Sequence, residues 1–314
     1  MIKMEEILCS IHNYTKFSGR DISLYSLAQA ALDCGADVLF TTDRNIYLSR
    51  HDQFYYRSGR RLLLICGEEL FDPLNRDQQH YLSLGIEKEQ FNLNVSNPQS
   101  EVRILVDPVG LNFSCRHIEL INAEELLRMG LSSSQKKIRN NINIFDDLLN
   151  REIRCTGLVG TCSSRHNRQA FSYPELISTA YNHILSDEPL TGDLIHDKMI
   201  VYKSLRAGRV FLAVDGLSDA KGFLFSAEGN NEDEIAYPGD TIYLKNSITL
   251  KINIPEACVC RLIRNGKLLK EWRQCKQVPY TIYEPGYYRV ECALNRRHDL
   301  YDWIFTNPIY AVKG

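Results

Sequence analysis

Two rhythms of apolar and polar positions divide the chain near residue 208. Up to that point short apolar runs alternate with stretches whose apolar residues recur every three to four positions. "EILCSIHN" (6–13) reads as a strand. "SLYSLAQAALDCGA" follows at helical spacing, with Gly35 at its C-terminal cap. "DVLFTTD", "RRLLLICGEEL", "QHYLSLGI", "HIELINA" and "CTGLVGTC" read as further strands. "EVRILVDPVG" reads as a helix running into a short strand, and "IFDDLLNRE", "YPELISTAYNHIL" and "DKMIVYKSLRAG" read as helices. Strands spaced by helices predict an α/β layout of parallel strands, open or closed into a barrel. In both layouts the chemistry collects at the C-terminal ends of the strands.

After Gly208 the helical spacing stops. "RVFLAVDG", "DTIYLKN", "ITLKINI", "CVCRLIRNGKLLKEW", "QVPYTIY", "GYYRVECAL" and "WIFTNPIYAV" are β-like runs separated by turn residues. Within "RNGK" the Asn-Gly pair suits a type I′ hairpin turn. The pattern predicts an α/β domain over 1–207 and a small all-β, sandwich-like domain over 208–314.

Composition narrows the partners. A net charge of −2 over 314 residues argues against a dedicated nucleic-acid binder, whose affinity comes mainly from a basic surface. No apolar run reaches the length that crosses a bilayer. "MIKMEEILCSIHNY" lacks the layout of a signal peptide, so the expected compartment is the cytoplasm. The ten cysteines include no CxxC pair, and Cys258 and Cys260 stand too close for zinc-knuckle spacing. They read as small core residues of a reduced protein.

The strand ends carry the candidate chemistry. They offer Ser10 and His12, then Asp43 and Arg44, then Gly67, Glu68 and Glu69, then His80, then Asp107 and Pro108. Glu119 and Asn122 follow in "IELIN", and Cys162, Ser164 and His166 in "GTCSSRH". No GxSxG elbow, Walker A loop or GxGxxG fingerprint occurs.

This order of strand-end motifs resembles the PHP (polymerase and histidinol phosphatase) superfamily of metal-dependent phosphoesterases. "GEEL…QHYLSLG", "SLRAGRVFLAV" and "WIFTNPIYA" resemble more narrowly its CehA/McbA-type branch, which also carries a C-terminal β domain. The resemblance implies a distorted (β/α)7 barrel. It departs from the family at the ligand positions: HxH becomes Ser10-Ile11-His12, TDH becomes Thr42-Asp43-Arg44, HP becomes Asp107-Pro108 and DxH becomes Cys162-Ser163-Ser164. Only His12, Glu69 and His80 keep the family's residue.

By that resemblance the metal candidates are His12, Glu69, His80, Asp107 and Cys162. One position would see His12, Glu69, Ser10 and Cys162, whose thiolate is a zinc ligand. The next would see Glu69, His80 and Asp107, a histidine and two carboxylates suited to zinc, manganese or iron. The third would see Arg44 and Ser164 and would hold no metal, because arginine stays protonated. Arg44 is then either an anion clamp in a metal's place or a salt bridge to Glu69, Asp107 or Asp43. Glu68 is expected to face solvent or the far side of its strand. Glu119 and Asn122 either orient ligands or cap strand ends.

Two functional classes follow. One is a catalytically impaired relative with an eroded metal centre, acting as a binding or accessory module. The other is a phosphoesterase with one or two divalent metals. A phosphate-bearing small ligand at the mouth and a protein partner on the C-terminal β domain are the expected partners.

Overall fold

Seven strands hydrogen-bond into a closed ring. The structure is a computed structural model and describes residues 4–48, 50–70, 80–86, 101–106, 117–122, 126, 131–161, 171–229 and 234–314. β1 (Glu5–Asn13) pairs with β2 (Val38–Arg44), and β3 (Gln53–Arg57) lies against the start of β4 (Arg60–Leu70), whose parallel partner is β2. The ring continues through β5 (His80–Leu84), β6 (Val102–Val106), β7 (His117–Asn122) and β8 (Thr156–Gly160), and β8 returns to β1. β5 runs antiparallel to both of its neighbours, and the other contacts of the ring are parallel.

The described residues show the closed seven-stranded ring but not the helices of the expected distorted (β/α)7 barrel between all of its strands. The described residues hold four α-helices: α1 (Leu24–Asp33), α2 (Leu131–Asn150), α3 (Tyr173–Thr179) and α4 (Leu194–Ala207). β2 reaches β4 through a hairpin strand. "QFYYR" has the aromatic content of a strand, and Ser58 and Gly59, both at positive φ, turn it tightly onto β4. The barrel is therefore rich in strands.

Two local expectations are corrected as well. "EVRILV" is strand β6 and not a helix. "YPELISTAYNHIL" is helical only as far as Thr179. Ser172 and Glu175 form a reciprocal capping box that starts α3, and Tyr181–Ser186 is strand β9. β9 lies between β1 and β10 (Val210–Ala213), antiparallel to both. Those partners are distant in sequence, so a local reading of periodicity does not see them.

β10 carries the sheet onward to β17 (Asp299–Thr306). After Gly208 every element among the described residues is a strand: β10, β11 (Leu224–Glu228), β12 (Ile235–Ala236), β13 (Thr241–Leu244), β14 (Ile248–Arg264), β15 (Lys267–Ile282), β16 (Gly286–Arg296), β17 and β18 (Ile309–Lys313). The expected hairpin joins β14 to β15, with Asn265 at φ 50° and Gly266 at φ 75°, both in the left-handed region that a type I′ turn requires. Trp303, Phe223, Phe225 and Tyr288 anchor one apolar core around these strands. The barrel interior is filled by a second, which includes Phe40, Leu63, Ile104 and Leu158.

Candidate functional site

The C-terminal ends of β1, β2 and β4 converge with β5 and β7 on one buried polar cluster. Arg44 and Glu69 are direct register partners across β2 and β4, so their side chains leave the sheet on the same face. The Arg44 Nε–H donates to Glu69 Oε2 at 2.7 Å. The Tyr14 hydroxyl donates to the same oxygen, also at 2.7 Å, and accepts from Arg44 Nη2 at 3.2 Å. The guanidinium lies 5.0 Å from the centre of the Tyr14 ring, within cation–π range. Glu69 Oε1 faces His80 Nδ1 at 3.3 Å and His12 Nε2 at 3.9 Å.

His12 reaches this cluster because β1 is bulged. Ser10 pairs with Leu39 and Asn13 with Thr41, which places one extra residue on β1. His12 takes φ 69°, a left-handed conformation that costs a non-glycine residue about 1 kcal/mol. A bulge re-aims a side chain, and here it turns a wholly buried imidazole inward. Nδ1 lies 2.7 Å from Glu119 Oε2 and Nε2 lies 3.0 Å from the Tyr14 oxygen.

The direction of these bonds counts the protons. Tyr14 spends its hydrogen on Glu69, so its contact with His12 requires Nε2 to donate. Burial opposes charge on Glu69, but the hydrogen bond from His80, the charges of His12 and Arg44, and the Tyr14 hydroxyl together hold its carboxyl down at about 2.

The remaining strand-end residues are placed as follows. Asp43 is buried and accepts from the Thr15 amide at 2.9 Å and its hydroxyl at 2.6 Å, bracing the turn after β1. Ser10 accepts from the Asn13 amide at 3.1 Å and does not enter the cluster. Glu68, expected to face solvent or the far side, is buried, because β4 is covered on both faces at this point. Asp107, Cys162, Ser164, His166 and the side chain of Asn122 lie outside the described residues.

Among the described residues the candidate ligands His12, Glu69 and His80 are hydrogen-bonded to one another or to their neighbours. Both nitrogens of His12 and Oε2 of Glu69 have hydrogen-bond partners, and a guanidinium occupies the adjoining position. No group of three or more His, Cys, Asp or Glu side chains is arranged to hold an ion among the described residues. What the arrangement does supply is a hydrogen-bonded line of polar and charged groups from Glu119 to Arg44.

Sequence reasoning placed His12 and His80 beside Glu69 and gave Arg44 as an anion clamp or as a salt bridge to Glu69, Asp107 or Asp43; the structure brings all four into contact with one another or with Tyr14. It missed Tyr14 itself, the hydroxyl at the centre. The signal was present, since Tyr14 stands two residues after His12 and Tyr is the side chain that both fills apolar space and ends in a hydrogen-bonding group.

No protein-family model matches the chain, and no curated protein matches it. Among solved structures it is similar to a two-domain protein from Bacteroides vulgatus described as containing a predicted PHP-like metal-dependent phosphoesterase. The two share 12% identity over 96% of this chain and 95% of that one, with a TM-score of 0.48. No helix among the described residues is long and apolar enough to cross a membrane.

Proposed function

We propose that this chain is a PHP-like protein of the CehA/McbA type whose metal centre has been replaced by an ion-paired network, and that it acts by binding. Its barrel spans 1–207 and its β-sandwich-like domain spans 208–314. The observation that carries this reading is the 2.7 Å contact from Arg44 to Glu69. That carboxylate is the one residue the family's first two metals would share, and here it neutralises an arginine. An ion pair at this depth is retained at a desolvation cost, so the site keeps its charge distribution while it loses its ligands.

Arg44 and His80 keep 18% and 22% of their side chains exposed, the most accessible groups of the network. They suit a phosphate- or carboxylate-bearing small ligand at the mouth. The C-terminal strands would then serve as the contact surface for a protein partner.

Elemental mass spectrometry of protein purified without chelator tests this reading, with Glu69→Ala/His80→Ala as control. The expected result is metal well below one ion per chain and no hydrolysis of p-nitrophenyl phosphate with added zinc or manganese. Stoichiometric metal that disappears in the control would replace this proposal with the reduced-metal phosphoesterase, whose ligands would be His12, Glu69, His80, Asp107 and Cys162.

A further inference from the structure

Four cysteines of the C-terminal strands stand opposite one another in register. Cys258 of β14 faces Cys275 of β15, and Cys260 of β14 faces Cys292 of β16. Directly opposed residues of an antiparallel ladder have Cα atoms about 4.5–5.5 Å apart and side chains on one face. That separation lies inside the roughly 4.4–6.8 Å that a disulfide spans. Cys258, Cys260 and Cys292 are buried in one apolar core, and Cys275 packs against it. The outer pair is in contact across the ladder, with Cys275 Sγ 3.7 Å from the Cys258 carbonyl oxygen. All four are reduced.

A bulge gives this cluster an entrance. Cys258 pairs with Cys275 but Cys260 pairs with Trp272, so β15 carries an extra residue between them. Gln274 takes φ 54° beside Cys275, the local left-handed kink of a bulged strand. Cys275 is half-buried while the other three are closed off from solvent. The four sulfurs are not arranged as a metal site among the described residues.

We propose that these cysteines form a two-step redox site, in which a peroxide converts Cys258 and Cys275 to one cross-strand disulfide and Cys260 and Cys292 to a second. Cys275, the half-buried thiol beside the bulge, is the one a peroxide reaches, so it reacts first. In the first step the Cys275 sulfur attacks one peroxide oxygen, the O–O bond breaks, and a sulfenic acid and water form. The Cys258 sulfur, opposite it in register, then attacks the Cys275 sulfur. The S–S bond forms, the S–O bond breaks, and the hydroxyl leaves as water with the Cys258 proton. Two thiols lose two electrons and two protons, and one peroxide becomes two waters. The inner pair repeats the sequence. The product clamps β15 and β16 to β14.

Thiol mapping on the full chain tests this. The reduced protein is titrated with hydrogen peroxide, alkylated, digested with trypsin and read by mass spectrometry. Cys258 and Cys260 share one tryptic peptide (252–261), whereas Cys275 and Cys292 fall on separate ones (274–276 and 290–296), so each link reports its partner. The expected course is loss of two alkylatable thiols with a 252–261 to 274–276 link, then loss of two more with 290–296 joined. Cys275→Ser, at the half-buried position, should remove the first link and leave the Cys260–Cys292 link. Four thiols that stay alkylatable at peroxide levels that oxidise glutathione would overturn the proposal. So would disulfides that join these cysteines to others of the chain.

Discussion

Replacing Glu69 by Gln keeps the shape of the buried side chain and removes its charge. Its carboxyl is held at about 2 against an ordinary 4.5. The gap of about 2.5 corresponds to roughly 3 kcal/mol of stability at neutral pH, at about 1.36 kcal/mol for each unit. The substitution also strands the protons that Tyr14, Arg44 and His80 now place on this carboxylate, and breaking one side of a buried pair typically costs about 3–5 kcal/mol. The two estimates describe the same interaction and agree. The sign with pH follows from the lowered value. Stabilisation by Glu69 is complete above about 4.5, where the unfolded chain is also ionised, and fades as pH falls towards 2. Thermal melts should therefore place Glu69→Gln roughly 5–10 °C below wild type at pH 7, with the gap narrowing steadily between pH 5 and pH 3. A melting temperature within about 1 °C of wild type at pH 7 would refute the reasoning. So would a gap that does not depend on pH, because the ion-paired network would then not be what holds this end of the barrel.

Other perturbations read different parts of the molecule. His183 is buried between Glu6 Oε1 at 2.6 Å and Asp215 Oδ2 at 3.1 Å; burial opposes its charge, but these carboxylates raise it to about 9. Its stabilisation is full below about 6.5 and lost as pH rises through about 9, so wild-type melting temperature should fall over that interval and His183→Phe should flatten the fall. Arg289 donates to Asp146 of α2 at 2.6 and 2.9 Å and to Glu291 at 2.6 Å, and Arg289→Met should cost about 3–5 kcal/mol in urea denaturation. A Cβ on Gly160 would lie 2.5 Å from Glu119 Oε2, so Gly160→Ala should destabilise by about 1–3 kcal/mol and shift the imidazole resonances of His12 in NMR spectra.

The features read correctly from sequence were those whose cause is local. The Asn265-Gly266 turn follows from two residues that tolerate positive φ, and the strand at 38–44 from an unbroken apolar run ending in polar residues. What escaped was set by partners elsewhere in the chain. Tyr181–Ser186 continues the apolar texture of α3, and only its pairing with β1 and β10 makes it a strand. The site followed the same division. The register that places Arg44 beside Glu69 was foreseeable as one of three salt bridges, since both residues end parallel strands. The bulge that turns His12 towards Glu119 leaves no mark in its own residues, because it arises from the pairing of β1 with β2. Of the two places open to Glu68, solvent or the far side of its strand, its burial leaves the far side, because alternation along a strand exposes a face only where one side of the sheet meets water.

The strand β10 belongs to two neighbours at once, β9 of the barrel region and β17 near the C-terminus. Asn307 presses the same point further. Its side chain accepts from the Gly157 amide at 2.7 Å and donates to the carbonyls of Gly157 and Val210 at 3.1 and 2.9 Å. A residue in the turn between β17 and β18 thus completes the backbone bonding of barrel strand β8. A gene fragment stopping at residue 207 would leave β9 a bare edge, open to pairing with other copies, and β8 with unmet hydrogen bonds. Nascent chains would share that predicament until β17 and Asn307 were made, so the barrel should become resistant to protease only after synthesis has passed residue 307.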